Sequence, residues 1–172
     1  ELTFELINKF RKNNTKTPII LMGYYNPIYQ YGNENFISRC LNDGVDGLIV
    51  VDLPPEHDSE LCDLTTEIDI DFIRLATPTT DKKRLNTVLN KSSGFLYYVS
   101  VMGITGTKEP DLAILKKQVI NLRRETDIPI GVGFGIKRPD QAKKISEFSD
   151  AIVVGSSLIE KIMINYKNNN ED

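Results

Sequence analysis

Tryptophan is absent from the 172 residues, cysteine occurs twice and histidine once. Two thiols, Cys40 and Cys62, cannot build the disulfide framework of a small secreted domain, and His57 alone cannot anchor a histidine-rich metal site. Both cysteines fall on apolar positions of predicted helices, which reads as core filling in a reducing cytoplasm. No apolar run approaches the roughly 20 residues that a membrane helix needs, so the chain reads as a soluble protein, and no signal peptide opens it. The 21 Lys and Arg are scattered and are outnumbered by 24 Asp and Glu, giving a net charge of −3. That balance leaves no basic surface for nucleic acid. A dinucleotide fingerprint of the GxGxxG kind is missing as well.

What remains is a chain that is 40% apolar and long enough for one domain with a sizeable core, not two. Six β-rich runs recur: Pro18–Gly23, Asp46–Asp52, Asp71–Thr77, Gly94–Ser100, Pro129–Gly135 and Asp150–Ser156. Most are continuously apolar, as strands buried on both faces of a parallel sheet are. Amphipathic stretches separate them. In Glu109–Thr126 the residues Leu112, Leu115, Val119 and Leu122 keep helical spacing, with Lys116, Lys117, Arg123 and Arg124 off the stripe. Leu2, Leu6 and Phe10 line one face of an opening helix. Arg138-Pro139-Asp140 and Ser157-Leu158-Ile159-Glu160 read as helix starts, and Asn168–Asp172 as a frayed tail. Alternating β and α periods without a linker predict a single parallel α/β domain over residues 1–172, either a doubly wound sheet or a (β/α)8 barrel.

The last two strand ends favour the barrel. Gly133-Phe134-Gly135 closes one run, and Gly155-Ser156-Ser157 leads from the other into a helix. Glycines there let peptide N–H groups approach a ligand, and a helix start aims its amides at the same place. The phosphate site of (β/α)8 barrels lies after strands 7 and 8. Counting back makes Pro18–Gly23 strand 3, so the expectation is an incomplete barrel of six βα units, strands 3–8, in a chain that starts inside a helical pattern without Met. The competing reading is that Gly133, Gly135 and Gly155 serve only a tight corner or a turn.

Strand ends also carry the candidate chemistry. They offer Tyr24, Tyr25 and Asn26; Asp52; Thr77; Ser100 with Tyr97 just inside; and Thr105 in the loop Gly103-Ile104-Thr105-Gly106. No lysine stands at a strand end, so a Schiff-base aldolase lacks its nucleophile, and no Asp, Glu and His cluster suggests a metal. Asp52 is the one strand-end carboxylate, whereas proton transfer at carbon wants two positioned groups. Each candidate has a plainer reading: Asp52 caps its own turn, Tyr97 is a packed core residue with one hydrogen bond, Thr105 is an exposed loop hydroxyl, and His57 is a surface or capping residue.

Five segments in order, one per strand, resemble the tryptophan synthase alpha subunit family. They are Leu21-Met22-Gly23-Tyr24-Tyr25-Asn26-Pro27; Val50-Val51-Asp52-Leu53-Pro54; Tyr97-Tyr98-Val99-Ser100 with Gly103-Ile104-Thr105-Gly106; Val132-Gly133-Phe134-Gly135-Ile136; and Val153-Val154-Gly155-Ser156. Met102 stands where the family often has Thr. The resemblance implies a (β/α)8 barrel and a lyase of tryptophan biosynthesis that splits indole-3-glycerol phosphate into indole and glyceraldehyde 3-phosphate. It implies phosphate binding by amides at Gly106, Gly135, Gly155 and Ser156. Met22, Tyr24, Ile49, Leu75 and Phe134 would surround the indole and glycerol, and Tyr97 and Thr105 would support catalysis. A beta subunit carrying pyridoxal phosphate would dock near Asn26 and Pro54 in an alpha2beta2 tetramer, with no cofactor or metal in this subunit. The family's catalytic Glu and Asp would lie upstream of Glu1, leaving this piece inactive alone. The alternatives are a noncatalytic phosphate-binding regulator of a beta subunit, or another phosphate-binding barrel enzyme such as a sugar-phosphate epimerase.

Overall fold

In the computed structural model, which describes residues 1–100, 111–133 and 135–168, every one of the apolar runs becomes strand. The order is α1 (Leu2–Arg11), β1 (Ile20–Gly23), α2 (Tyr25–Tyr31), α3 (Asn33–Asp43), β2 (Gly47–Val50), α4 (Ser59–Thr66), β3 (Asp71–Phe72), β4 (Leu75–Ala76), α5 (Lys82–Leu89), β5 (Leu96–Val99), α6 (Leu112–Arg123), β6 (Ile130–Gly133), α7 (Pro139–Ser146), β7 (Ala151–Val153) and α8 (Ser156–Asn168). One sheet runs β1-β2-β3 and the other β4-β5-β6-β7. The pairs β1–β2, β2–β3 and β6–β7 are parallel, with Met22 opposite Ile49 and Gly133 opposite Val153. Two compact units result, Glu1–Leu75 with Lys82–Leu96, and Ala76–Asp81 with Tyr97–Asp172.

In the first unit β2 is buried along its whole length, as its unbroken apolar sequence requires. Its core joins Phe4 and Ile7 of α1, Ile37 and Cys40 of α3, Leu61 and Cys62 of α4, and Phe72 of β3. Phe4 also meets Tyr31 and Phe36 at ring-centroid distances of 6.0 and 5.7 Å. Gly44 ends α3 in the left-handed conformation, φ 80°, which a residue without Cβ adopts at no steric cost. Its carbonyl accepts from Arg11 Nε at 2.8 Å.

In the second unit all of β6 is buried. Leu115, Val119 and Leu122 of α6 are buried too, as the spacing predicted, while Asp111 caps that helix by accepting from the amides of Ala113 and Ile114. Pro139 opens α7, and the Gln141 side chain accepts from the amides of Lys137 and Arg138 just before it.

Four details differ from the sequence reading. The buried face of α1 is Phe4 and Ile7, while Leu2, Leu6 and Phe10 are exposed; both stripes keep helical spacing, and the aromatic contacts of Phe4 decide which turns inward. The run Asp71–Thr77 splits into β3, which pairs with β2, and β4, which belongs to the other sheet, with the buried Arg74 between them. Tyr25 and Asn26, read as residues of a strand end, stand in a short helix, α2. Ser157 is not a helix cap: α8 begins at Ser156, and the Ser157 hydroxyl donates to the Ile136 carbonyl at 3.1 Å. Asn168 belongs to α8, and the rest of the tail lies outside the described residues.

Candidate functional site

In the first unit the ends of β1 and β2 bring several candidate residues together. Parallel register sets Met22 beside Ile49, and both line, with Tyr24, an apolar cavity of about 390 Å³ closed by Phe4, Leu21 and Val50. Met22 and Tyr24 are largely exposed, at 59% and 65%. A cavity with apolar walls and a few polar atoms at its mouth suits a flat hydrophobic ligand. Leu75, on β4, is half-buried and is not among that cavity's lining residues.

Asp52 follows β2, and its carboxylate accepts a hydrogen bond of 2.7 Å from the Tyr25 amide at the start of α2. The side chain therefore caps a neighbouring element and not its own turn. Asn26, next along α2, is exposed. Pro54 lies in the loop after Asp52, where its carbonyl accepts from the His57 amide at 2.9 Å; the His57 side chain is exposed.

Another group of candidate residues lies in the other unit, taken by itself. Gly135 and Gly155 each stand two residues beyond a paired strand position, Gly133 and Val153, so both leave the carboxyl rim of adjacent strands. Gly135 has φ 73°, a conformation that side chains with a Cβ resist. A Cβ at Gly155 would meet nothing within 4 Å. Helical bonding in α8 starts with Leu158 and Ile159, whose amides donate to the Gly155 carbonyl; the amides of Ser156 and Ser157 precede that ladder at the positive end of the helix dipole. The Ser157 hydroxyl bond to Ile136 ties this helix start to the turn that contains Gly135. Two amide-bearing turns on one rim are an arrangement that accepts an anion.

Tyr97 stands on β5 at 8% exposure, and burial raises the pKa of its hydroxyl above the ordinary tyrosine value. It is therefore a neutral hydrogen-bonding group at physiological pH. Tyr98, also buried, is pushed up to about 12 for the same reason. Thr105, Gly106 and Phe134 lie outside the described residues, as does the loop Gly103–Glu109. Among the described residues no cluster of three or more His, Cys, Asp or Glu could hold a metal ion, and no helix is long and apolar enough to cross a membrane.

Sequence reasoning missed Arg74. Its guanidinium is buried against Asp58, lies 5.1 Å from the Phe72 ring and donates to Cys62 Sγ at 3.4 Å. The signal was a single arginine inside an apolar strand run. Buried charges of this kind are retained when paired, and this pair holds the β3–β4 break against α4.

Known proteins share this geometry. A family model described as tryptophan synthase alpha chain matches residues 1–172. A crystal structure of tryptophan synthase subunit alpha from Legionella pneumophila str. Paris shares 37% identity at TM-score 0.88, covering 98% of this chain and 62% of that one. A second, of the tryptophan synthase alpha chain from Legionella pneumophila subsp. pneumophila, gives 39%, 0.85, 96% and 61%. The tryptophan synthase a2b2 complex from Pyrococcus furiosus gives 35%, 0.80, 93% and 65%. The chain thus spans about three fifths of the length of the Legionella structures, 62% and 61%. With the parallel sheets, these matches bear out the fold class read from the sequence, an incomplete (β/α)8 barrel.

Proposed function

We propose, from the premise that this chain belongs to the tryptophan synthase alpha chain family, that it supplies the substrate-binding part of a lyase in tryptophan biosynthesis. The substrate is indole-3-glycerol phosphate and the products are indole and glyceraldehyde 3-phosphate. In that cleavage the bond between indole C3 and the glycerol chain breaks, C3 takes a proton, and the carbinol hydroxyl loses one as its carbon becomes the aldehyde. Two proton-moving groups are needed. At the described strand ends the carboxylate on offer is Asp52, which is already bonded to the Tyr25 amide. The acid–base pair therefore comes from outside these residues, and the 172-residue chain alone binds and orients without turnover.

The roles follow from the chemistry of each place. Met22, Tyr24 and Ile49 offer apolar contact to the indole ring, and the family resemblance assigns Leu75 and Phe134 to the same ligand. The amides at Gly106, Gly135, Gly155 and Ser156 take the phosphate, whose charge the α8 dipole stabilises. Tyr97, kept protonated by burial, hydrogen-bonds substrate, and the resemblance gives Thr105 a supporting part in catalysis. Asn26 and Pro54 face a beta subunit in a cytoplasmic alpha2beta2 assembly, and the pyridoxal phosphate belongs to that partner.

The observation that carries the reading is the pair of glycine turns on one rim, Gly135 and Gly155, joined by the Ser157 bond to Ile136. Glycerol 3-phosphate should raise the melting temperature of the wild-type chain. Gly135→Val should abolish that rise, while Lys137→Ala should leave it intact; a rise lost with Lys137 and kept with Gly135→Val would contradict amide binding. The lack of a second strand-end carboxylate among the described residues favours one other reading, a noncatalytic phosphate-binding regulator of the beta subunit. A coding sequence with two further βα units upstream supports the lyase, and a stop codon there supports the regulator.

A further inference from the structure

Ser100 follows the end of β5 and is 7% exposed. Its amide and its hydroxyl both donate to one acceptor, the Gly133 carbonyl, at 3.1 and 3.0 Å. A carbonyl oxygen has two lone pairs and takes both bonds, and a hydroxyl so deeply buried needs such a partner. Three residues on from Gly133, the Ile136 carbonyl accepts from the Ser157 hydroxyl at 3.1 Å. The turn that contains Gly135 is therefore gripped on both sides by serine hydroxyls, one from the end of β5 and one from the first turn of α8. Between the grips Gly135 is exposed, with φ 73°, while Gly133 and Ile136 are buried. Among the described residues the amides of Gly135, Gly155 and Ser156 donate to no acceptor.

From this geometry we infer that Ser100 and Ser157 are positioning residues, whose hydroxyls hold the Gly135 turn in the shape in which its amide and those at the start of α8 meet one phosphate monoester. The inference rests on the proposed phosphate-binding reading. Glycine gives up more conformational freedom on folding than any other residue, so a glycine amide is well placed only where the chain beside it is held. The two hydroxyl bonds supply that order before a ligand arrives, and a site ordered beforehand binds more tightly than one ordered at the encounter. Each serine acts through a carbonyl of the turn, which leaves the amides themselves for the anion. The two grips differ in one respect. At Gly133 the Ser100 amide bond survives loss of the hydroxyl, whereas at Ile136 the hydroxyl of Ser157 is the link to α8.

The test measures glycerol 3-phosphate binding to the full chain by calorimetry, and urea stability separately, in Ser100→Ala, Ser157→Ala, Ser157→Thr and Ser149→Ala. Ser149 is the comparison because its hydroxyl also donates to a backbone carbonyl, that of Ile145 at 2.9 Å. It does so at the opposite end of β6, where the Asp150 amide donates to the Ile130 carbonyl. Ser157→Ala should raise the dissociation constant about fivefold, the size of one ordinary hydrogen bond. Ser100→Ala should raise it about threefold, because the amide bond remains. Ser157→Thr keeps a hydroxyl and should stay within about twofold of wild type. Ser149→Ala should lose stability and keep wild-type affinity. An unchanged dissociation constant in either Ser100→Ala or Ser157→Ala, whatever its stability, would overturn that residue's positioning role while leaving the phosphate reading in place. Equal losses in Ser157→Ala and Ser157→Thr would overturn the hydroxyl as its basis, and an equal loss in Ser149→Ala would overturn the role of the turn. Failure of the wild-type chain to bind glycerol 3-phosphate would overturn the phosphate reading and this inference together.

Discussion

Gly133 leaves room for Tyr97: a Cβ built on Gly133 would come within 2.6 Å of the Tyr97 ring and hydroxyl and 2.8 Å of Val153 Cβ. The tyrosine on β5 occupies the volume that a side chain on β6 would take, so the glycine is needed by packing rather than by backbone conformation. Gly155, with open space around its would-be Cβ, makes the contrast.

Gly133→Ala should therefore destabilise by about 1–3 kcal/mol, the range for overpacking a tight site, and should displace Tyr97. Gly155→Ala should change stability by less than about 0.5 kcal/mol. Urea denaturation of both variants measures the difference. Equal stability in the two would contradict the packing account.

The buried pair Asp58 and Arg74 predicts a second asymmetry. Asp58→Ala leaves the guanidinium buried beside Phe72 and Cys62 without its carboxylate, which costs about 3–5 kcal/mol. Replacing both partners by apolar residues, as in Asp58→Leu with Arg74→Met, should recover most of that loss. Denaturation midpoints across the double-mutant cycle read the coupling directly.

Burial also governs the thiols. Cys40 is pushed up to about 12, and Cys62 is raised as well, burial being the main cause in each. The thiolate is the reactive form, so neither should be alkylated by iodoacetamide at pH 8 while the chain is folded. Labelling should follow the unfolded fraction as urea is added.

How much of this the sequence disclosed depends on the range of the interaction. The strands were legible because burial on both faces writes an unbroken apolar run, and the α6 stripe because its period is local. The face of α1 was not: Leu2, Leu6 and Phe10 repeat as regularly as Phe4 and Ile7, and the choice is made by Tyr31 and Phe36 more than twenty residues on. Asp52 shows the same limit. Its position at a strand end was readable, but its partner, the Tyr25 amide, is fixed only once β1 and β2 pair.

A related device yields a pH prediction. Asp150 precedes β7 and accepts from the Ile130 amide at 2.8 Å, with Arg123 also bonded to it. Those interactions, the Ile130 bond first, lower its pKa below the ordinary carboxylate value. A group with a depressed folded pKa adds stability above its unfolded pKa of about 3.9 and loses it as pH falls through the folded value. The stability gap between wild type and Asp150→Asn should therefore be present at pH 6 and shrink below about pH 4. Denaturation curves from pH 6 to 3 measure it; a gap that widens on acidification would contradict the assignment.

The proposal that main-chain amides hold the substrate's phosphate is tested most directly by an amide chemical-shift titration of the full chain with glycerol 3-phosphate. The amides of Gly135, Gly155 and Ser156 should move together with one dissociation constant, Lys137→Ala should leave that constant unchanged, and glycerol should move none of them. Saturable binding that leaves those three amides still would contradict it.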